Sequence, residues 1–217
     1  MIRCMQLYSY YRSSSAFRVR IALNLKGLAY EQRSVNLDTA EQLSDSYRSL
    51  NPQGRVPALV LENGTVIAQS MAIMEWLEEA HPEPALLPTT AAARAHVRSL
   101  CQQVACDMQP LNNMSVVGYL KHDLAADDDA TQRWYTHWMH RGFAALEQEV
   151  ADGAGHYCYG DAPGLADCLL IPQVFNAYRF GVDMAPFPTV RAIYEHCSTL
   201  DAFIAANPAN QPDTPPD

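Results

Sequence analysis

Tyr8-Ser9-Tyr10-Tyr11-Arg12-Ser13-Ser14-Ser15-Ala16-Phe17-Arg18-Val19-Arg20-Ile21-Ala22-Leu23 carries the chain from a strand into a helix. Upstream, Met5–Tyr8 is a short apolar run that reads as a strand. Downstream, Val19, Ala22, Leu23 and Lys26 recur at helical spacing, and Gly27 stands where helices commonly stop. Working outward, Tyr30–Leu37 alternates and predicts a second strand, and Thr39–Leu50 predicts a short polar helix. The apolar runs Pro57–Glu62 and Thr65–Ala68 flank Asn63-Gly64, a hairpin signal because both residues tolerate positive φ. Ser70–Ala80 is amphipathic, with Ile73, Trp76 and Leu77 on one face. The order βαβαββα, a crossover pair followed by an antiparallel hairpin, predicts an α/β domain with a mixed four-stranded sheet over residues 1–82.

Beyond it the character changes. His81–Thr90 holds Pro82, Pro84 and Pro88 and reads as a linker. Long helical patterns then dominate: Ala91–Val117, Ala130–Val150, Leu165–Phe180 and Val190–Ala205. They predict an all-α domain over residues 91–206. Residues 207–217, NPANQPDTPPD, hold four prolines in eleven positions and are expected to lack regular structure.

The 217 residues carry 15 Lys+Arg against 24 Asp+Glu, a net charge of −9, the opposite of what phosphate neutralisation by a nucleic-acid binder requires. No stretch has the length and apolarity of a signal peptide or a transmembrane helix, so a cytoplasmic protein without nucleic-acid or membrane partners is expected. The six cysteines show no metal-ligand spacing and are expected to be reduced thiols. His137 and His140 stand three apart within Trp134-Tyr135-Thr136-His137-Trp138-Met139-His140, an aromatic helix face. They lack an evident third ligand, so no metal is expected.

Three short stretches bear on chemistry. Ser13, Ser14 and Ser15 can cap the first orphan N–H groups of the helix. Alternatively, the helix N-terminus with a spare hydroxyl and the adjacent Arg12 holds an anion. In Arg55-Val56-Pro57-Ala58 the proline is either an ordinary strand start or a cis residue that leaves the Val56 N–H and C=O open to an extended ligand. At Gln69-Ser70, Ser70 is a good N-cap whose N–H could also take a carboxylate. Tyr8, Tyr10 and Tyr11 read as half-buried packing at a strand end.

Together these residues resemble the signature of zeta-class glutathione transferases, the class of the maleylacetoacetate and maleylpyruvate isomerases. The likeness continues through Leu50-Asn51-Pro52, Val56-Pro57-Ala58-Leu59, Gln69-Ser70, Gln109-Pro110-Leu111-Asn112-Asn113, Pro172-Gln173-Val174, Asn176-Ala177-Tyr178-Arg179-Phe180 and Gln211-Pro212-Asp213-Thr214-Pro215, over nearly the whole chain. It implies a thioredoxin-like N-terminal domain, a helical C-terminal domain, a homodimer and glutathione as cofactor. Val56 before a cis Pro57 would pair with the cysteinyl backbone of glutathione, and Gln69 and Ser70 would hold its γ-glutamyl end. Ser13 would donate its hydroxyl to the sulfur, supported by Ser14, with Ser15, where the family usually has Cys, counted in the glutathione site. Arg12 and Arg179 would hold the carboxylates of a cis-enedioic acid, with Gln109, Asn112 and Asn113 lining the substrate side. Gly164-Leu165-Ala166-Asp167 stands where the family has Ser/Thr-x-x-Asp, a capping box in which Gly is a tolerated substitute.

The chemistry implied is addition of glutathione thiolate to the maleyl double bond, rotation, and expulsion to leave the fumaryl isomer. A free thiol with a pKa of about 8.5 is only about 3% ionised at pH 7, and lowering it by about two units requires about 2.7 kcal/mol. One hydroxyl hydrogen bond to a charged acceptor is worth about 1.5–3 kcal/mol. A helix N-terminus adds about 0.3–1 kcal/mol. Ser13 and its helix therefore suffice, with Tyr8 as the rival activator. A general glutathione transferase acting on electrophiles such as α-haloacids, or a non-enzymatic binding module of the same fold, stays open. So does the choice between maleylacetoacetate and maleylpyruvate.

Overall fold

Strands of alternating burial at Met5–Ser9 (β1) and short apolar strands at Ala58–Val60 (β3) make the centre of a four-stranded sheet in the computed structural model, which describes residues 4–151 and 155–216. Residues 1–3, 152–154 and 217, which fall within the three expected segments, lie outside the described residues. The chain divides into two units, residues 1–86 with 199–217 and residues 87–198.

In the first unit, helix α1 (Ser14–Leu25) connects β1 to the parallel strand β2 (Tyr30–Ser34). Helix α2 (Asp45–Leu50) precedes β3, which runs antiparallel to β1. Strand β4 (Val66–Ala68) and helix α3 (Ser70–Ala80) close the unit's N-terminal part. The order β2-β1-β3-β4 is the expected mixed sheet. β2 stops three residues short of Leu37 because the Asn36 side chain accepts the N–H groups of Asp38 and Thr39 at 2.9 and 3.3 Å, an Asx turn that competes with the ladder. The expected helix 39–50 is split into a 3₁₀ turn at Glu41–Leu43 and α2, whose N-cap Ser44 accepts from the Tyr47 N–H at 3.2 Å. The hairpin forms, but over a three-residue loop. The Leu61 N–H reaches the Thr65 carbonyl at 2.8 Å, and Gly64 alone takes positive φ (+86°).

Helix α1 is buried almost all round, because α3 and a further helix, α9 (Asp201–Ala206), both pack on it. Here the structure departs from the expected boundaries. The run 190–205 is two helices, α8 (Pro188–Cys197) and α9, and α9 with the tail belongs to the first unit. Asn24 Nδ2 donates to the Ala202 carbonyl at 3.0 Å and Arg20 Nε to the Ala206 carbonyl at 3.0 Å. The proline-rich tail is ordered by side chains. Pro208–Asn210 forms a 3₁₀ turn, and buried Gln211 donates to the Ala205 and Asn207 carbonyls at 2.9 and 2.7 Å.

The regular elements of the second unit are helices among its described residues: α4 (Ala91–Gln102), α5 (Met114–His122), α6 (Asp128–Ala151), α7 (Leu165–Arg179) and α8. The expected helix 91–117 is interrupted by a π-helical segment at Gln103–Met108 and a 3₁₀ turn that begins at Pro110, which has no N–H to continue the ladder. α7 is its most buried element. At its start Asp167 accepts from the N–H groups of Gly164 and Cys158, both at 2.8 Å. The carboxylate half of the capping box therefore survives without a Ser/Thr.

One buried ion pair pins the end of α1 to the segment after α3. Lys26 Nζ donates to Glu78 Oε2 at 3.0 Å and to the His81 and Pro84 carbonyls at 2.7 and 2.9 Å, which satisfies all three ammonium protons. The two side chains are 0% and 5% exposed. Lys26→Met removes the cation and leaves the Glu78 carboxylate buried, so it should cost about 3–5 kcal/mol. Urea denaturation checks this, and a loss below about 1 kcal/mol would contradict it.

Candidate active site

The strand register gathers three loops. Tyr8 pairs with Ala58 and Ala58 with Ala68, so β1 leaves the sheet, β3 enters it and β4 leaves it at one common end. The residues just beyond are 9–13, 56–57 and 69–70, which are the three stretches singled out from the sequence.

Ser13 is the N-cap of α1. Its Oγ accepts from the Ala16 N–H at 3.2 Å, and its own N–H donates to the Tyr10 carbonyl at 3.0 Å. A hydroxyl has one proton and two lone pairs, so capping leaves the proton available. Capping and anion binding are therefore compatible in the same side chain. Ser14 and Ser15 occupy the first turn, where backbone N–H groups have no intrahelical partner, and that turn contains no acidic residue to offset the helix dipole.

Arg12 differs from its expected role. Its Nη2 donates to the Tyr10 hydroxyl at 2.9 Å and to Asp38 Oδ2 at 2.5 Å, and the Tyr10 hydroxyl also donates to that oxygen at 2.5 Å. Both forks of a guanidinium include this nitrogen once Nε and Nη1 are each counted with it. Arg12 thus has no open two-pronged edge for a substrate carboxylate, and Asp38 neutralises much of its charge. Burial, with the hydrogen bond to Asp38, raises the Tyr10 pKa and keeps the phenol protonated.

The Val56–Pro57 bond is cis. Because β3 begins at Ala58, the Val56 peptide lies outside the ladder, and among the described residues its N–H and C=O have no hydrogen-bond partner. The preceding carbonyl, Arg55, is fixed by the Tyr47 hydroxyl at 2.7 Å and Asn51 Nδ2 at 2.8 Å. Burial pushes the Tyr47 pKa up to about 12, so that donor is constant. Tyr8 is half-buried and packs with Tyr10, Val35, Tyr47 and Val56, its ring centroid 6.0 Å from that of Tyr47. Tyr11 is half-buried as well, whereas Tyr10 is buried, its hydroxyl held between Asp38 and Arg12.

Gln69 sits at φ +74°, ψ 124°, a strained conformation for a side chain with a Cβ, and its amide donates to Gln53 Oε1 at 2.5 Å. The positive φ makes Gln69 the N-cap and Ser70 the first helical residue, contrary to the expectation that Ser70 caps. The buried Ser70 hydroxyl instead accepts from Arg18 Nη1 at 3.3 Å, so its proton too can point to a ligand.

In the second unit, Arg179 is exposed at the end of α7, its guanidinium 4.8 Å from the Phe180 ring centroid. Asn113 caps α5, its Oδ1 accepting from the N–H and hydroxyl of Ser115 at 3.0 and 2.9 Å. Asn112 is half-buried, and both polar atoms of its amide are buried without a partner among the described residues, which a bound polar group would relieve. Gln109 ends the π-helical segment, half-buried. His140 bonds the Asp183 carbonyl at 2.8 Å and His137 lies edge-on to Trp138. Burial raises the thiol pKa of Cys158, Cys168 and Cys197, which keeps them unreactive.

Residues that the sequence reading did not single out are Asp38, Tyr47, Asn51 and Gln53, each of which fixes a site residue by a hydrogen bond from 16 or more positions away or through a loop carbonyl. A usable signal was the pair Arg18 and Arg20 inside an apolar helical run, since buried guanidinium groups demand partners.

A profile described as "Glutathione S-transferase, N-terminal domain" matches residues 12–80. A maleylpyruvate isomerase from a Ralstonia species is 48% identical over 213 residues, 97% of this chain and 100% of its own. The holo structure of a bacterial maleyl pyruvate isomerase, a zeta-class glutathione S-transferase, superimposes with a TM-score of 0.94 at 47% identity, covering 97% of this chain and 100% of that one. Maleylacetoacetate isomerase from Anaeromyxobacter dehalogenans 2CP-1, with dicarboxyethyl glutathione and citrate in its active site, superimposes at 0.88 and 49% identity, covering 98% of each. With its serine-capped helix, its cis proline and its Gln-Ser turn at one end of a thioredoxin-like sheet, the chain belongs to the maleylacetoacetate/maleylpyruvate isomerase family of zeta-class glutathione transferases.

Proposed function

We propose that the chain is a glutathione-dependent cis–trans isomerase of a maleyl dicarboxylate, maleylacetoacetate or maleylpyruvate, yielding the fumaryl isomer. The observation that carries the reading is the Ser13 hydroxyl, which caps α1 with a lone pair and keeps its proton for a second acceptor. The donor set fits glutathione. Ser13 would meet the sulfur, the out-of-ladder Val56 peptide the cysteinyl backbone, and Gln69 and Ser70 the γ-glutamyl end. Ser14 and Ser15 add first-turn N–H groups. Bound glutathione would supply the thiolate that adds to, and later leaves, the cis double bond.

This chain's residues hold that sulfur as an anion and orient the acid. The Ser13 proton and the uncompensated N-terminus of α1 stabilise negative charge there by about 2–4 kcal/mol together. Arg179, exposed beside Phe180, is the carboxylate-binding group. Asn112, with an amide that lacks a partner among the described residues, would contact the substrate along with Gln109 and Asn113. Arg12, engaged with Asp38 and Tyr10, acts as a pinned positive group next to Ser13 and not as a clamp. A homodimer, as the resemblance implies, is part of the proposal. No described helix is long and apolar enough to cross a membrane.

Ser13→Ala should nearly abolish turnover of maleylacetone, while Tyr8→Phe keeps most of it. In the parent, kcat/KM should rise with pH through about 6.5 and level off as the bound thiol ionises; in Ser13→Ala the inflection should move up towards about 8.5. A Ser13→Ala enzyme with the parent's profile, and a shifted Tyr8→Phe profile, would transfer the role to Tyr8.

Arg179→Ala should raise KM for the maleyl acid at least ~10-fold, with Lys restoring only part, because a point charge lacks the fork. Conjugation of glutathione to an uncharged electrophile should be unaffected. Equal losses in both assays would remove Arg179 from carboxylate binding. Assaying maleylacetoacetate and maleylpyruvate side by side identifies the physiological acid.

A further inference from the structure

The β1–α1 loop that presents Ser13 does not hold itself. β1 ends at Ser9 and α1 begins at Ser14, so Tyr10–Ser13 must find partners elsewhere. Its central peptide group, formed by the Tyr10 carbonyl and the Tyr11 N–H, is gripped from both ends. The Tyr10 carbonyl accepts from Arg20 Nη1 at 3.4 Å and from the Ser13 N–H at 3.0 Å. The Tyr11 N–H donates to Asp213 Oδ2 at 2.9 Å, and the Tyr11 carbonyl accepts from Arg20 Nη2 at 3.0 Å. The bond from Ser13 to Tyr10 closes the turn, so the orientation of this one peptide sets where Ser13 stands.

Asp213 is 202 positions from Tyr11 and lies in the proline-rich tail. Its other oxygen accepts from Gln32 Nε2 on β2 at 3.0 Å. Gln32 is thus the anchor and Tyr11 the load. The tail is carried into place by the Ala206 carbonyl on Arg20 Nε, by Gln211, and by the Thr214 hydroxyl on the Pro208 carbonyl at 2.5 Å. Arg20 is fully buried, and its Nη1 also donates to Ser9 Oγ at 3.0 Å, so a single guanidinium joins strand end, loop and C-terminal helix.

We propose that the C-terminal tail is part of the thiol-activating apparatus: Asp213, working with Arg20, is a positioning residue that holds the Tyr10–Tyr11 peptide so that the Ser13 hydroxyl meets the sulfur. This rests on the reading of Ser13 given above. Asp213 touches neither cofactor nor substrate in this account. Its effect is read in thiol ionisation, while glutathione affinity, set by Val56, Gln69 and Ser70 on other loops, changes little.

The test uses the full chain and measures the pKa of glutathione's thiol when bound, by ultraviolet thiolate absorbance, together with kcat and KM. Asp213→Ala should move that pKa upward and lower kcat/KM by about 10- to 100-fold, mostly in kcat, as expected for a displacement approaching ~1 Å. Asp213→Asn, which keeps one acceptor oxygen, should fall between Asp213→Ala and the parent. Asn210→Ala is the control for general loosening of the tail. It removes a bond from Asn210 Nδ2 to the Ile204 carbonyl at 2.7 Å without touching the loop, and it should leave the thiol pKa where it was.

A folded Asp213→Ala with the parent's thiol pKa overturns the proposal, as does an equal shift in Asn210→Ala. If Asp213→Ala does not fold, Gln32→Ala, which deletes only the anchor of Asp213, must show a smaller shift in the same direction, and none there overturns it. Ser13→Ala in the same series separates the two levels. No shift in Ser13→Ala refutes the reading of Ser13 itself, whereas a shift in Ser13→Ala without one in Asp213→Ala refutes only the role of the tail.

Discussion

A guanidinium with no access to water organises the first unit. Arg20 sits in the middle of α1, fully buried, and burial pulls its pKa down only to about 10, so it stays charged at neutral pH. A buried charge is tolerable only when it is hydrogen-bonded. Four oxygens accept from four of its five N–H donors: Ser9 Oγ and the carbonyls of Tyr10, Tyr11 and Ala206. Those oxygens come from the end of a strand, an irregular loop and the last helix. The requirement of one side chain thereby dictates that the loop has a fixed shape and that residues 199–217 fold back on the unit they are farthest from in sequence.

Charge around the proposed thiol site is arranged in the same local manner. The net charge of −9 is unfavourable for an anionic cofactor and a dicarboxylate. Arg12 does little to counter it, being paired with Asp38, while the buried Arg18 brings its charge to the Ser70 hydroxyl. At Ser13, positive character comes from a helix end without acidic residues and from a hydroxyl proton whose oxygen is already oriented. Oriented dipoles need no counter-ion and do not repel one another as stacked guanidinium groups would, which suits a chain that is acidic elsewhere.

Regular elements were legible wherever a period ran uninterrupted. Ser70–Ala80 has the bounds that its spacing predicts, and β1 runs one residue beyond the predicted Met5–Tyr8. Errors came where a side chain competes with the backbone. Asn36 cut β2 short, and the positive φ of Gln69 took the cap from Ser70; neither leaves a trace in hydrophobic spacing. The tail was misread because proline content reports what the backbone cannot do. It is silent on the Gln211 and Asp213 side chains that tie the segment down across 6 and 202 positions. The three site loops were found as short stretches, but their convergence became a physical statement only with the register of Tyr8, Ala58 and Ala68. Arg12 was overestimated for a related reason. Sequence shows that a cation is present, not that Asp38, 26 positions on, has claimed it.

The serine that caps and the serine that would activate are one residue, and that economy has a structural consequence. A cap fixes the oxygen of Ser13 to about hydrogen-bond precision against the Ala16 N–H, while the proton on that oxygen keeps one rotational freedom. Its direction is then confined to a cone about the Cβ–Oγ bond, whose place depends on the φ and ψ of Ser13 (−68° and 114°) and on the Tyr10–Tyr11 peptide that Arg20 and Asp213 hold. Replacing Ser13 by Thr would preserve both functions in principle, whereas a change that rotates the Tyr10–Tyr11 peptide would shift Ser13 as a whole, through the bond from its N–H to the Tyr10 carbonyl. The start of the helix and the aim of the hydroxyl therefore hang on the same peptide.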